Sequence, residues 1–143
     1  MRKFLVSICA LGLLLSFASA EEVSSMRDDA LAKRTATRYV PSGIKRTLWF
    51  LYVANPDCSP MEGSIEVRTP REPEHGAVEI VPSEGFPVFA RDNVRFKCNE
   101  RKIRGVNVEY QSSAGYVGPD EFDLLVLWPS GVAWEMHFNV LVR

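Results

Sequence analysis

Three cysteines, two histidines and one tight acidic cluster are the residues of this 143-residue chain with the types and spacing to do chemistry. Cys9 lies inside an apolar run, leaving Cys58 and Cys98, 40 positions apart, as the pair to explain. Neither has a Cys or His neighbour at metal-ligand spacing, and there is no C-x-x-C. A disulfide is the expected product in an oxidising compartment, worth about 4 kcal/mol by loop-closure entropy. His137 alternates outward with Glu135 and Asn139 and reads as a solvated surface residue. His75 sits in a turn region with Glu72 and Glu74. Asp120, Glu121 and Asp123 form an acidic knot, but one turn supplies too few of the about six to eight oxygens that calcium takes. Turn capping is the expected role of Asp120. No G-x-S-x-G, P-loop or dinucleotide fingerprint occurs, and Ser42, Ser59 and Ser130 sit beside Pro or Gly as turn serines do. No catalytic residue, metal site or cofactor is predicted.

The strongest charge feature is basic: Arg91, Arg95, Lys97, Arg101, Lys102 and Arg104. Arg95 and Lys97 are expected on the outward face of a strand, with Arg101, Lys102 and Arg104 in the loop after it. The plain reading is a solvated face and hairpin tip. The functional reading is a patch for an anionic partner, an envelope protein or acidic glycan.

Compartment follows from the first twenty residues. Arg2 and Lys3 precede an apolar stretch from Phe4 to Phe17, and Ala18-Ser19-Ala20 is a small-residue cleavage site. Residues 1–20 are therefore read as a signal peptide, and the product as periplasmic or secreted. The run is too short to span a bilayer comfortably, and no second one approaches that length, so no transmembrane segment is expected in the mature chain. Cleavage leaves 123 of the 143 residues. It removes two of the 17 basic residues and none of the 18 acidic ones, so the net charge falls from −1 to −3. Such a balance gives no reason to expect a nucleic-acid partner.

The elements that must position these groups are strands. Residues 21–43 read as a polar N-terminal tail, with a turn at Pro41-Ser42-Gly43, and 44–143 as one domain. Beyond the turn the hydrophobic period is two. Ile65/Val67, Val78/Ile80, Val94/Phe96/Cys98 and Val106/Val108/Tyr110 each alternate with polar residues. Leu48 to Val53 is apolar throughout, as in a central strand covered on both faces. Phe122/Leu124/Val126/Trp128 and Val132/Trp134/Met136/Phe138/Val140/Val142 flank Pro129-Ser130-Gly131, a three-residue hairpin loop. Pairing 128 with 132 sets Val126 opposite Trp134, Leu124 opposite Met136 and Phe122 opposite Phe138, which puts both apolar faces on one side. About seven short strands with dense turns predict an all-β antiparallel sandwich.

His75-Gly76-Ala77-Val78 at a strand start, Tyr110 and Ser112 near a strand end, and Gly115-Tyr116-Val117-Gly118-Pro119-Asp120-Glu121-Phe122 carry a resemblance. Over residues 75–142 the chain resembles the bacterial cadherin-like and immunoglobulin-like repeats of surface and exported proteins, here in a single copy. Its length and cysteine pair resemble small secreted bacterial proteins. The resemblance implies an immunoglobulin/cadherin-like sandwich that acts as an extracytoplasmic interaction module. It also implies a non-catalytic function, binding a protein or glycan partner in the cell envelope. The alternative is a secreted enzyme or enzyme inhibitor on the same scaffold.

Overall fold

The C-terminal hairpin forms in the register that the hydrophobic alternation demands. Val126 faces Trp134, Leu124 faces Met136 and Phe122 faces Phe138. The loop closes with Trp128 N–H donating to the Val132 carbonyl at 2.9 Å, and Gly131 takes a positive φ of 82°. A side chain there would strain the left-handed backbone, so glycine is the residue of choice.

In this computed structural model the described residues are 31–143, and the proposed signal peptide lies outside them. Seven strands follow in order: β1 (Ala32–Val40), β2 (Arg46–Tyr52), β3 (Glu66–Arg71), β4 (Gly76–Gly85), β5 (Ile103–Ser112), β6 (Gly118–Leu127) and β7 (Ala133–Val142). They make two sheets, one ordered β1-β7-β6-β3 and the other β2-β5-β4. Their inner faces meet in one core, in which Phe122, Leu124, Met136 and Phe138 pack toward Leu48, Leu51, Val108 and Tyr110. Stacked rings run through its centre, Phe138 on Phe122 at 4.7 Å and Phe122 on Tyr110 at 6.1 Å between centroids. The protein is thus an all-β sandwich. No helix among the described residues is long and apolar enough to cross a membrane.

Three expectations need correction. The segment read as a polar tail contains β1, which pairs parallel with β7 over all nine of its residues. Its apolar pattern is hidden because two inward positions are arginines. Arg34 lies over the Trp134 ring at 5.0 Å and Arg38 over Trp49 at 4.9 Å. Their stems and flat cations cover aromatic surface as apolar side chains would. This parallel pair also makes the sandwich mixed rather than wholly antiparallel.

Leu48 to Val53 is not a central strand: β2 is an edge of the three-stranded sheet. Of its outward rings, Tyr52 is covered by the β4–β5 connection and Phe50 by the glycines of β4 and β5. Tyr52 packs edge-on to Phe89 at 5.3 Å and accepts a hydrogen bond from Val88 N–H at 2.8 Å. Phe50 lies over Gly105, where an added Cβ would come within 2.6 Å of the ring and 2.2 Å of the Leu51 carbonyl oxygen. Only a glycine admits that approach.

Val94, Phe96 and Cys98 do not share a strand face. Phe96–Glu100 is a 3₁₀ turn. Asn93 starts it, its side chain accepting from Arg95 N–H and its carbonyl from Phe96 N–H, both at 2.9 Å. Such local side-chain bonds compete with strand pairing.

Candidate binding site at the loop pole

Three connections meet at one end of the sandwich: β2–β3 (residues 53–65), β4–β5 (86–102) and the β6–β7 loop. The Cys58–Cys98 disulfide joins the first two, with Cα atoms 5.4 Å apart and Cys98 fully buried. Gly63 approaches Pro129, so the first also touches the third. Side chains finish the scaffold. Asn99 bonds both the N–H and the carbonyl of Phe89 at 2.9 Å, mimicking a strand partner. Arg95 Nε donates to the Ala54 carbonyl at 2.7 Å, tying the basic segment to the end of β2. Asp57 accepts from the N–H and hydroxyl of Ser59, which holds the Asp57 carboxyl below its usual range and shapes the turn that places Cys58 at a φ of 71°.

The six basic residues come together on this connection and the first positions of β5, though not on a strand face. Arg91, Lys97, Arg101, Lys102 and Arg104 are exposed, and Arg95 is half-buried. Lys102 lies 6.0 Å from the Phe86 ring centroid. Four apolar side chains are interleaved with them in the open: Phe86 at 56%, Val88 at 83%, Val94 at 69% and Phe96 at 44% exposure. Sequence reasoning misread Val94 and Phe96 because alternation at 94, 96 and 98 mimics a buried face, and it gave Phe86 and Val88, beside Pro87, no role. The denser signal was Asn93 and Asn99 bracketing the run, since both compete for backbone partners. Exposed apolar groups beside like-signed charge mark an interaction surface better than either feature alone.

Two cavities open at this pole. The larger, about 690 Å³, lies between the β2–β3 connection and the β4–β5 strands, with Met61, Glu84, Lys102 and Arg104 in its wall. The smaller, about 260 Å³, is walled by Tyr52, Phe89, Arg95, Trp128 and Trp134.

The other chemistry-bearing residues lie elsewhere, on β6, β7 and the β3–β4 turn, and the acidic knot comes apart. Asp120 turns inward and is 6% exposed. It accepts from Glu74 N–H, His75 N–H and Glu121 N–H at 3.0 to 3.1 Å and from the Tyr110 hydroxyl at 2.7 Å. Rather than capping its own turn, it lies inside β6 and holds the β3–β4 turn, with only the Glu121 N–H local in sequence. Burial, and then the bond to Asp120, push the Tyr110 phenol well above its ordinary pKa. Glu121 and Asp123 point outward. Asp123 bonds His137 Nδ1 at 2.6 Å, and Arg71 reaches Glu121 at 2.8 Å and Asp123 at 2.9 Å. His137 is therefore a half-buried member of a hydrogen-bonded network rather than a freely solvated side chain. His75 stacks on Tyr116 at 4.0 Å. No group of three or more metal-ligating side chains occurs among the described residues.

No family model matches the chain, and no curated protein matches it. Among solved structures, the chain is similar to one described as "Solution Structure of Amebosin". The two share 12% identity over 79% of this chain and 98% of that one, with a TM-score of 0.39. A likeness at that level carries no argument about fold type or activity.

Proposed function

We propose that the chain is an exported, non-catalytic interaction module that holds an anionic protein or glycan partner of the cell envelope at its loop pole. The observation that carries this reading is the coincidence of six basic and four exposed apolar side chains on one disulfide-anchored surface. Export is supported by the signal-like residues 1–20 and by the buried disulfide, which belongs to an oxidising compartment. An immunoglobulin/cadherin-like type is supported by the strand order, with β2-β5-β4 facing β7-β6-β3 and β1 added in parallel at the edge. In such sandwiches the loops gathered at one end are a recurrent binding surface. The Asp123–His137 pair does not favour an enzyme, because neither cavity is walled by it.

Retention of the mature chain (residues 21–143) on heparin-agarose tests the reading. A net-acidic protein is expected to bind at low salt and elute as salt screens the contact. Arg91→Glu/Lys97→Glu/Arg101→Glu is expected to elute at clearly lower salt, whereas Lys33→Glu/Arg68→Glu on the four-stranded sheet leaves retention intact. Retention unchanged in the pole variant would remove the proposal's basis.

A further inference from the structure

We infer that the smaller cavity is the seat for one carboxylated sugar ring of an acidic glycan. This inference rests on the proposed function and specifies its glycan form. At about 260 Å³ the groove falls below the about 300–1,000 Å³ of pockets for drug-sized ligands, so it holds a single ring. Its wall is aromatic. Trp128 and Trp134 meet edge to face at 5.1 Å, and Tyr52 and Phe89, paired edge-on at 5.3 Å, also line it. A sugar ring has an apolar C–H face that covers such surface, while its hydroxyls stay at the rim near Ser130.

One cation enters the groove, Arg95. Its Nε is fixed on the Ala54 carbonyl at 2.7 Å, which engages one of its five N–H donors and orients the guanidinium plane. A pre-oriented guanidinium matches a carboxylate in two parallel hydrogen bonds. Trp128 lines the groove, while its indole N–H is buried behind that wall and has no acceptor. Such donors are costly to leave unmade, and a ring hydroxyl supplies the missing acceptor. That N–H is shut from solvent, so the acceptor reaches it through a turn of the indole, which stands at the last position before the hairpin loop. An Asp or Glu side chain of a protein partner brings the carboxylate but no flat ring to fill the aromatic slot. A neutral sugar brings the ring but leaves Arg95 unanswered.

The test is titration of ¹⁵N-labelled mature protein with tetragalacturonate, followed through the indole N–H signals. Maltotetraose and poly-glutamate serve as controls. The Trp128 signal is expected to shift saturably with tetragalacturonate alone. Arg95→Gln is expected to weaken that binding at least tenfold, and Ser130→Trp, which fills the mouth from an exposed loop position, to block it without touching the core. Arg91→Glu/Lys97→Glu/Arg101→Glu leaves the groove in place and is expected to cost only a few-fold. No indole shift with tetragalacturonate, an equal shift with either control, or full affinity in Ser130→Trp would overturn the groove assignment. If heparin retention persists in those cases, the interaction module stands and the groove alone falls; if heparin retention is itself absent, the module reading falls first.

Discussion

The outer face of the four-stranded sheet and the loop pole both carry dense charge, but they dispose of it in opposite ways. On the sheet, Arg71, Asp123, His137 and Glu121 lie on adjacent strands and satisfy one another within 2.6 to 3.7 Å. On the pole, the segment from 91 to 104 has six basic side chains against two acidic ones, Asp92 and Glu100, and although Arg104 lies 3.8 Å from Glu84 and Lys97 acts on Asp57, cations stay in excess there. Apolar groups between those cations stay in water. Charged groups that are hydrogen-bonded to one another make a surface, while cations in excess beside exposed apolar area mark where a partner must complete it. The disulfide sharpens the contrast. It anchors the pole, whereas the sheet face is held by its own ladder.

Breaking that anchor has the largest expected effect on the contrast. Cys58→Ser/Cys98→Ser is expected to lower stability by about 2–5 kcal/mol in urea unfolding and to weaken heparin retention, because the two long connections then move apart. Phe122→Ala in the ring stack is expected to cost about 3–5 kcal/mol with retention kept in the folded fraction, separating core from pole. Tyr110→Phe leaves Asp120 short of one donor and is expected to cost about 1–3 kcal/mol near neutral pH. The sign of its pH dependence is fixed by the raised phenol pKa. The wild-type advantage is complete below about pH 10, the unfolded phenol value, and shrinks as pH climbs above it. Denaturation curves of both proteins between pH 7 and 11 check this. Smallest is Asp123→Asn, which removes one member of a partly exposed network. It is expected to change stability by no more than about 1 kcal/mol and to leave retention untouched.

The legible parts of the sequence were those where one side of a strand is purely apolar. The β6–β7 register follows from Phe122 to Val142 with no outside information, and Cys58 and Cys98 form the disulfide that their isolation from other ligands suggested. Legibility failed where a side chain served two physics at once. Arg34 and Arg38 are charged yet cover indoles, so β1 was hidden. Phe50 and Tyr52 are half-buried against strand glycines and a connection rather than a second sheet, so an edge strand resembled a central one. Within the candidate site, the basic residues were visible in the sequence, but the aromatic groove was not. It joins Tyr52, Phe89 and Trp134 across three elements, and no local spacing encodes that meeting.

Site-specific crosslinking tests the central claim most directly. A photoreactive side chain at Val94, on the pole, is expected to give a covalent adduct with an envelope component in the native envelope fraction. The same group at Thr35, on the four-stranded sheet, is expected to give none. Adducts from Thr35 with Val94 silent would place the partner on the internally paired sheet face and contradict the account.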